Sequence, residues 1–252
     1  MDTKILIGIP TAEYARRADF YDYFNSLTKP AGTAITFSHG QSPARNRNLI
    51  IRQALDIGCT HLFFLDDDVA FRPDLMMNLL KHDKDVVTGL YLMRSYPHQP
   101  IVFDFADSDG KVGWHYLEDN EHGLIRIRSC GLGCVLIKTS VFKKLEELGL
   151  SADSHGAKDK WVTLGQLESD HWCDDTSLFN KIHEAGIEMY CDLDQHVGHM
   201  ASITVWPEII NGKWYSTYES NSRLGRASIP AAKISEIERL SREHYKKELS
   251  TV

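Results

Sequence analysis

His61-Leu62-Phe63-Phe64-Leu65-Asp66-Asp67-Asp68 decides how this 252-residue chain is read. Four large apolar residues in a run of five predict a strand buried on both faces, and the carboxylates that follow mark its carboxyl end. Three adjacent carboxylates repel one another unless a positive charge compensates them. In extended backbone Asp66 and Asp68 project to one side and Asp67 to the other, so Asp66 and Asp68 form the pair that suits one divalent cation. The plain alternative is a solvated acidic turn, with Asp68 in a capping role before Pro73.

Upstream, Lys4–Ile9 is a short β-branched run stopped by Pro10-Thr11 and predicts a buried first strand. Ala34–Phe37 predicts a second strand. Ser42-Pro43 then opens a helix, with Ser as N-cap and Pro at the first helical position. Leu49, Ile50, Ala54, Leu55 and Ile57 form its expected apolar face, and Gly58 closes it. Downstream, Pro73 starts a helix through Leu75, Met76, Leu79 and Leu80, and Asp85–Thr88 is a strand. Strand and helix alternate over the first ninety residues, the signature of a doubly wound parallel sheet. Ligands bind such sheets at the carboxyl ends of the strands, where the acidic run sits.

After Gly89 the texture changes. Residues 101–105, 111–117 and 124–128 read as short strands separated by polar turns. Gly131–Ile137 is an apolar strand, and Thr139–Leu148 and Asp174–Ala185 are helices ended by Gly149 and Gly186. Residues 151–160 are a polar loop, and Ile187–Cys191 is a strand. From Pro230 onward, Ile234, Ile237, Leu240 and Tyr245 recur at helical spacing and predict an amphipathic helix. The expected organisation is a domain over 1–210 with a C-terminal extension over 211–252.

Composition narrows the function classes. A net charge of −7 disfavours a general nucleic-acid binder. Cys59, Cys130, Cys134, Cys173 and Cys191 show no metal-site spacing and read as reduced, mostly buried thiols, which fits a cytoplasmic location. Met1-Asp2-Thr3-Lys4 runs straight into a strand without an apolar leader, and no run approaches the ~18 apolar residues that span a membrane.

The segment around the acidic run resembles the D-x-D region of GT-A glycosyltransferases, particularly the large family 2-like group. There an apolar strand ends in Leu-Asp-x-Asp before a Pro-started helix. Further motifs follow in the family's order. Ile7-Gly8-Ile9-Pro10-Thr11 resembles the strand and loop that hold the nucleotide base, and Ala44-Arg45-Asn46 the segment lining the nucleotide pocket. Gly131-Leu132-Gly133 through Ile137 resembles the strand behind the sugar. Cys173-Asp174-Asp175 resembles the acidic motif that starts the acceptor-side helix, commonly Glu-Asp, and Val197-Gly198-His199 the late His that completes the metal site. The likeness covers residues 4–205.

The resemblance implies a GT-A, Rossmann-like, mostly parallel central sheet flanked by helices, with a small antiparallel acceptor-side part and a C-terminal helix. It implies transfer of a sugar from a nucleotide-diphosphate donor to a glycan, lipid-linked or protein hydroxyl. Ile9, Pro10, Thr11, Arg45, Asn46, Asp66 and Asp67 would serve the donor; Asp66, Asp68 and His199 would hold Mn²⁺ or Mg²⁺, with Mn²⁺ favoured by the nitrogen ligand. A cation bridging the phosphates would stabilise the departing diphosphate. Asp175 would be the general base if configuration is inverted, with Asp174 binding the acceptor. Capping and the helix dipole alone would also place these two acids at a helix start.

Several residues stay open between roles. Arg45, Arg47 and Arg52 share a helix and could form a solvated basic face. Trp114, Trp161, His171 and Trp172 flank the acceptor-side segments, where flat rings suit sugars but equally suit core packing. His98, near Tyr91 and Arg94, is a weaker donor-side candidate. A nucleotidyltransferase and a non-catalytic metal- or sugar-binding module are the alternative classes. The first wants a Gly-rich basic loop after the first strand, and Pro10-Thr11-Ala12-Glu13-Tyr14 is not one. A calcium module wants Asp-x-Asp-x-Asp-Gly, which is also missing. The amphipathic C-terminal helix would offer a surface for a homodimer, while the donor sugar, base, acceptor and stereochemistry are not written in these motifs.

Overall fold

The structure, a computed structural model, describes residues 3–11, 18–94, 98–104, 113–151, 158–163, 165–166, 172–200, 204–219 and 228–233, with backbone alone at 165–166, 172–174, 218–219 and 228–233. The chain opens with β1 (Ile5–Pro10), α1 (Ala18–Ser26), β2 (Ala34–Ser38) and α2 (Pro43–Asp56). It continues through β3 (His61–Leu65), β4 (Val69–Phe71), α3 (Leu75–Lys81) and β5 (Val86–Leu90). Short strands β6 (Val102–Asp104), β7 (Gly113–Trp114), β8 (Leu124–Ile127) and β9 (Ser129–Cys130) precede β10 (Cys134–Lys138) and α4 (Thr139–Glu147). After β11 (Gly165–Gln166) and β12 (Trp172–Cys173) come α5 (Asp174–Glu184), β13 (Met189–Met200), β14 (Thr204–Ile210), β15 (Lys213–Glu219) and β16 (Ser228–Lys233).

The main sheet runs β16-β15-β14-β13-β5-β10-β3-β1-β2, with β4 and β8 also paired to β13. β1 is parallel to β2 and β3, and β5 to β13. β10 lies antiparallel between β3 and β5. The α/β class is as expected, and β1, β2, β3 and β5 run in one direction, as strand–helix alternation over the first ninety residues predicted; β10, from beyond them, enters antiparallel and makes the sheet mixed. Cys134-Val135-Leu136-Ile137 is buried along its length, and a doubly buried apolar run carries no information about its direction. A second sheet, β7-β6-β9, is small and antiparallel. Leu124–Ile127, expected among these short strands, instead joins the main sheet through β13.

Alternation along β1 and β3 divides the core. Leu6, Leu62 and Phe64 face α2 through Ile50, Ile51 and Ala54. Ile5, Ile7, Phe63 and Leu65 face α1 and α3 through Phe20, Phe24, Leu75 and Met76. Helices therefore cover both faces of the central strands. α2 lies so close to β1 that a Cβ at Gly8 would meet Ile50 Cγ2 at 2.3 Å. Burying the Leu and Phe side chains contributes about 1.5–3 kcal/mol each, so these faces fix the strand ends that carry the site.

Ser42 caps α2 as predicted, its side chain accepting from the Arg45 N–H at 3.4 Å, with Pro43 inside the first turn. The buried face differs from expectation: Leu49 and Ile57 are 52% and 37% exposed, while Arg47, Ile50, Ile51 and Ala54 are buried. The face is turned because it includes a charged residue that an apolar pattern passes over.

Other differences are additions. α1, β4 and the β14–β15 pair were not predicted, and β13 runs well beyond Cys191. Pro230–Lys233, expected as the start of a helix, belongs to β16, where Pro230 pairs with Thr217 on the outermost strand. An edge strand tolerates proline because it needs no ladder donor on its open side. Residues 234–252 of the expected helix and 152–157 of the expected loop lie outside the described residues. The expected division after residue 210 falls at the turn between β14 and β15, which pair along their length. Cys59, Cys130, Cys134 and Cys191 are buried free thiols, and burial pushes Cys134 up to about 12. No helix among the described residues is long and apolar enough to cross a membrane.

An ion cluster braces the small sheet, and one hydrogen bond links it to β15. His115 lies 2.8 Å from Asp104 Oδ2 through Nδ1 and 3.0 Å from Glu121 Oε1 through Nε2, and Trp214 Nε1 donates to the Glu121 carbonyl at 3.0 Å. Burial alone would lower the imidazole pKa, but the hydrogen bonds and charges of the two carboxylates outweigh it and raise the pKa to about 9. A folded pKa above the unfolded value of about 6.5 means that this stabilisation is whole below that pH and is lost as pH rises through the folded value. The difference in urea midpoint between the native protein and His115→Gln is expected to shrink from about pH 6 to about pH 10. A gap that holds constant or widens would refute the imidazolium.

Candidate active site

The acidic run occupies the turn between β3 and β4. The Asp66 N–H donates to the Gly133 carbonyl at 2.9 Å, extending the β3–β10 ladder by one step. The Asp68 carbonyl accepts from the Met200 N–H at 2.7 Å. β4 pairs antiparallel with β13, placing Val69 opposite His199. Two residues 131 positions apart, Asp68 and His199, thus meet with Oδ2 and Nε2 3.7 Å apart, beyond hydrogen-bond length.

The other imidazole nitrogen defines the first. His199 Nδ1 lies 2.8 Å from the Leu92 carbonyl, and a carbonyl only accepts, so Nδ1 carries the proton and donates. In the neutral ring Nε2 then turns a lone pair toward the Asp68 carboxylate. Two facing acceptors at this separation suit a cation between them, and a ring N–H bound to backbone carbonyl is the usual support of a ligating His. The Tyr91 ring holds the imidazole in place edge-on, with centroids 5.7 Å apart.

Arg47 joins the other acids. Its Nη2 donates to both Asp66 oxygens at 3.1 Å and lies 3.9 Å from Asp175 Oδ1 at the start of α5. The Arg47 side chain is 6% exposed and that of Asp66 27%, so the guanidinium is shielded from solvent and the carboxylate partly so. Its neighbours on α2 brace other segments. Asn46 donates to the Thr11 carbonyl at 2.9 Å and accepts from Ser38 Oγ at 3.0 Å, joining the carboxyl ends of β1 and β2. Asn48 donates to the Val162 carbonyl at 2.7 Å and accepts from the Val162 N–H at 2.9 Å.

Tyr91 lies beneath the acids. Its buried hydroxyl accepts from the Gly133 N–H at 3.1 Å. A Cβ at Gly131 would stand 2.0 Å from that hydroxyl, and one at Gly133 would stand 3.2 Å from both it and Asp66 Oδ2. The glycines therefore make room for the phenol. Burial, then the charges of Asp175, Cys130 and Asp66, push its pKa well above the ordinary value, so the hydroxyl keeps its proton.

The expected site residues divide accordingly. Asp68 and His199 meet, and Asp66 and Asp175 are linked through Arg47. Half-buried Asp67 lies in the same turn. Among the described residues no three His, Cys, Asp or Glu side chains already stand in a metal-holding array. Arg47 holds Asp66, and Arg94 Nη1 donates to Asp68 Oδ2 at 2.9 Å. On the donor side Ile9, Pro10 and Thr11 are buried, Asn46 is fully buried as a brace, and Arg45 is exposed at the α2 N-terminus. The side chains of Asp174 and Trp172, and all of His171, lie outside the described residues.

Three candidates have structural duties. Trp161 is fully buried and donates to the Phe142 carbonyl at 3.3 Å. Trp114 packs on Phe103, with ring centroids 4.5 Å apart. His98 turns inward and donates through Nδ1 to the Met93 carbonyl at 3.0 Å. The basic face also dissolves: Arg52 pairs with Glu146 and Asp159 over the Trp161 ring, and Arg47 is inside. Arg47, Tyr91 and Arg94 are the site residues that sequence reasoning missed. For Arg47 a signal existed, because Ala44, Ile51 and Ala54 put position 47 on the inner face of α2.

No family model matches the chain, and no curated protein matches it. It is similar to the solved structure of A197 from STIV, over 92% of this chain and 95% of that one, with a TM-score of 0.53 and 17% identity. At that identity the likeness concerns the fold: an α/β, Rossmann-like arrangement around a large mixed sheet.

Arg47→Ala is expected to lower stability by about 1–3 kcal/mol, because it leaves the partly buried Asp66 carboxylate without its cation. Adding Asp66→Asn should return part of that loss. Strictly additive losses in a double-mutant cycle of urea unfolding would mean that the pair is not coupled.

Proposed function

We propose that the chain is a metal-dependent glycosyltransferase of the GT-A type, moving a sugar from a nucleotide-diphosphate donor to a hydroxyl acceptor. The observation that carries this reading is the facing of His199 Nε2 and Asp68 Oδ2 at a strand end, with Nδ1 committed to the Leu92 carbonyl. Asp66, Asp68 and His199 would hold Mn²⁺ or Mg²⁺, and this mixed oxygen–nitrogen donor set favours Mn²⁺. Such an ion, when bound, supplies the positive charge that steadies a departing diphosphate.

The chain's own residues do the rest. Asn46 holds the ends of β1 and β2, including Thr11, as one wall for the nucleotide. Gly131 and Gly133 let the Tyr91 hydroxyl and Asp66 pack closely against the strand that would lie behind the sugar. Asp175 takes the proton of the acceptor hydroxyl, positioned by Arg47 relative to Asp66, and Asp174 binds the acceptor. The acceptor is a glycan, a lipid-linked group or a protein hydroxyl.

A panel of nucleotide sugars with titrated Mn²⁺ tests this directly, because slow donor hydrolysis needs no acceptor. One donor is expected to turn over with Mn²⁺, and Asp68→Ala or His199→Ala to abolish the metal-stimulated rate. Asp175→Asn should lower transfer about 10²–10⁴-fold, the usual worth of a general base. Thermal stabilisation by a triphosphate but no diphosphate would favour nucleotidyl transfer. Stabilisation by Ca²⁺ alone would reduce the chain to a binding module.

A further inference from the structure

Arg94 stands on a segment whose base is fastened on both limbs. Leu92 bridges to Pro100, the Met93 N–H donates to the Gln99 carbonyl at 2.8 Å, and the Ile101 N–H donates to the Tyr91 carbonyl at 2.9 Å. From this base Arg94 Nη1 reaches Asp68 Oδ2 at 2.9 Å. The same oxygen is the one that faces His199 Nε2 at 3.7 Å. The guanidinium therefore sits on the oxygen that a divalent cation shared by Asp68 and His199 would need.

The two arginines of the site differ in one decisive respect. Arg47 is 6% exposed and locked between two acids, whereas Arg94 is 51% exposed. An exposed ion pair is weak and exchanges readily. Arginine does not lose its proton, so it cannot share Asp68 with a metal by becoming neutral. It must move aside. Once displaced it remains tethered at the edge of the site, and its planar fork of donors matches two phosphate oxygens.

We propose that Arg94 is an exchangeable cation: it occupies Asp68 in the ligand-free protein, yields it to the divalent metal, and then grips the diphosphate that arrives with that metal. This rests on the metal-dependent reading above and adds a diphosphate-binding residue to it. The exchange makes metal and diphosphate binding cooperative. The metal releases the arginine that the diphosphate needs, and the coupling is reciprocal.

The test measures binding rather than turnover. Mn²⁺ affinity is read from the paramagnetic resonance of the free ion, and inorganic pyrophosphate serves as the diphosphate probe by calorimetry on Mn²⁺-loaded protein. Without pyrophosphate, Arg94→Gln is expected to bind Mn²⁺ about three- to fivefold more tightly than the native chain, the scale of an exposed ion pair. With Mn²⁺ bound, the same variant should bind pyrophosphate about tenfold more weakly, the scale of a charge-assisted hydrogen bond. Arg94→Lys should fall between on both measures, since it keeps the charge and loses the fork. Equal Mn²⁺ affinity in native and Arg94→Gln proteins overturns the exchange, and unchanged pyrophosphate affinity overturns the grip; both leave the metal site standing. Absence of Mn²⁺ binding in folded native and variant proteins alike removes the metal reading and this proposal together.

Discussion

The ion pair between Arg47 and Asp66 ties together α2, the end of β3 and the start of α5. Arg47 leaves α2 from its buried face, reaches the end of β3 at 3.1 Å, and comes within 3.9 Å of Asp175 at the start of α5. Its neighbours extend the same logic. Asn46 holds the ends of β1 and β2, and Asn48 holds the backbone at Val162 in both directions. Three consecutive residues thus hold three separate segments of the chain. Their own positions depend on the cap at Ser42 and on the close seat of α2 against Gly8. A buried guanidinium with a single-atom grip on both carboxylate oxygens is costly to disturb, because either partner alone would be an uncompensated charge in a shielded place.

Tyr91 and the two glycines show the same economy of means on the floor of the site. The phenol needs space that any side chain at 131 would take, and the Gly133 N–H gives it a donor. Its ring then fixes His199 edge-on while the Leu92 carbonyl fixes the imidazole proton. Residues 91 and 92 therefore set both the orientation and the tautomer of a residue more than a hundred positions away. The glycines make room for this phenol.

Much of this was legible in the sequence because local chemistry dictated it. The buried strand ending in Asp66, the Ser42–Pro43 start of α2, and the helices beginning at Thr139 and Asp174 all follow from apolar runs, caps and breakers. What escaped was long-range. Nothing in Cys134–Ile137 says that it runs antiparallel to β3, because burial on both faces erases the alternation that would mark its surroundings. Arg47 stays open between the site and a solvated basic face, because charge argues for the surface while Ala44, Ile51 and Ala54 argue for the inner face; its partner Asp66, 19 residues away, decides it. Pro230 was read as a helix start, since an edge strand that accepts proline is a property of the sheet and not of the tripeptide. The pairing of Asp68 with His199 was anticipated from the order of family-like motifs, not from any periodicity of its own.

That pairing has a backbone cause. β13 first runs beside β5, with Asp192 opposite Gly89, and then His196 opposite Leu90. Four positions pass on β13 while one passes on β5, so three extra residues are inserted. In a strand whose faces alternate, an odd insertion exchanges the two faces, and a bulge of this kind re-aims everything after it. Beyond it β13 takes β4 as its partner, putting His199 opposite Val69, directly after Asp68. The bulge comes close against β5: a Cβ at Gly89 would stand 2.8 Å from the Gln195 carbonyl oxygen. The small residue at 89 permits the bulge, the bulge turns the strand, and the turned strand brings an imidazole to the acids. A single continuous strand thus belongs to the core in its first half and to the site in its second, and the glycine opposite the junction is the structural condition for both.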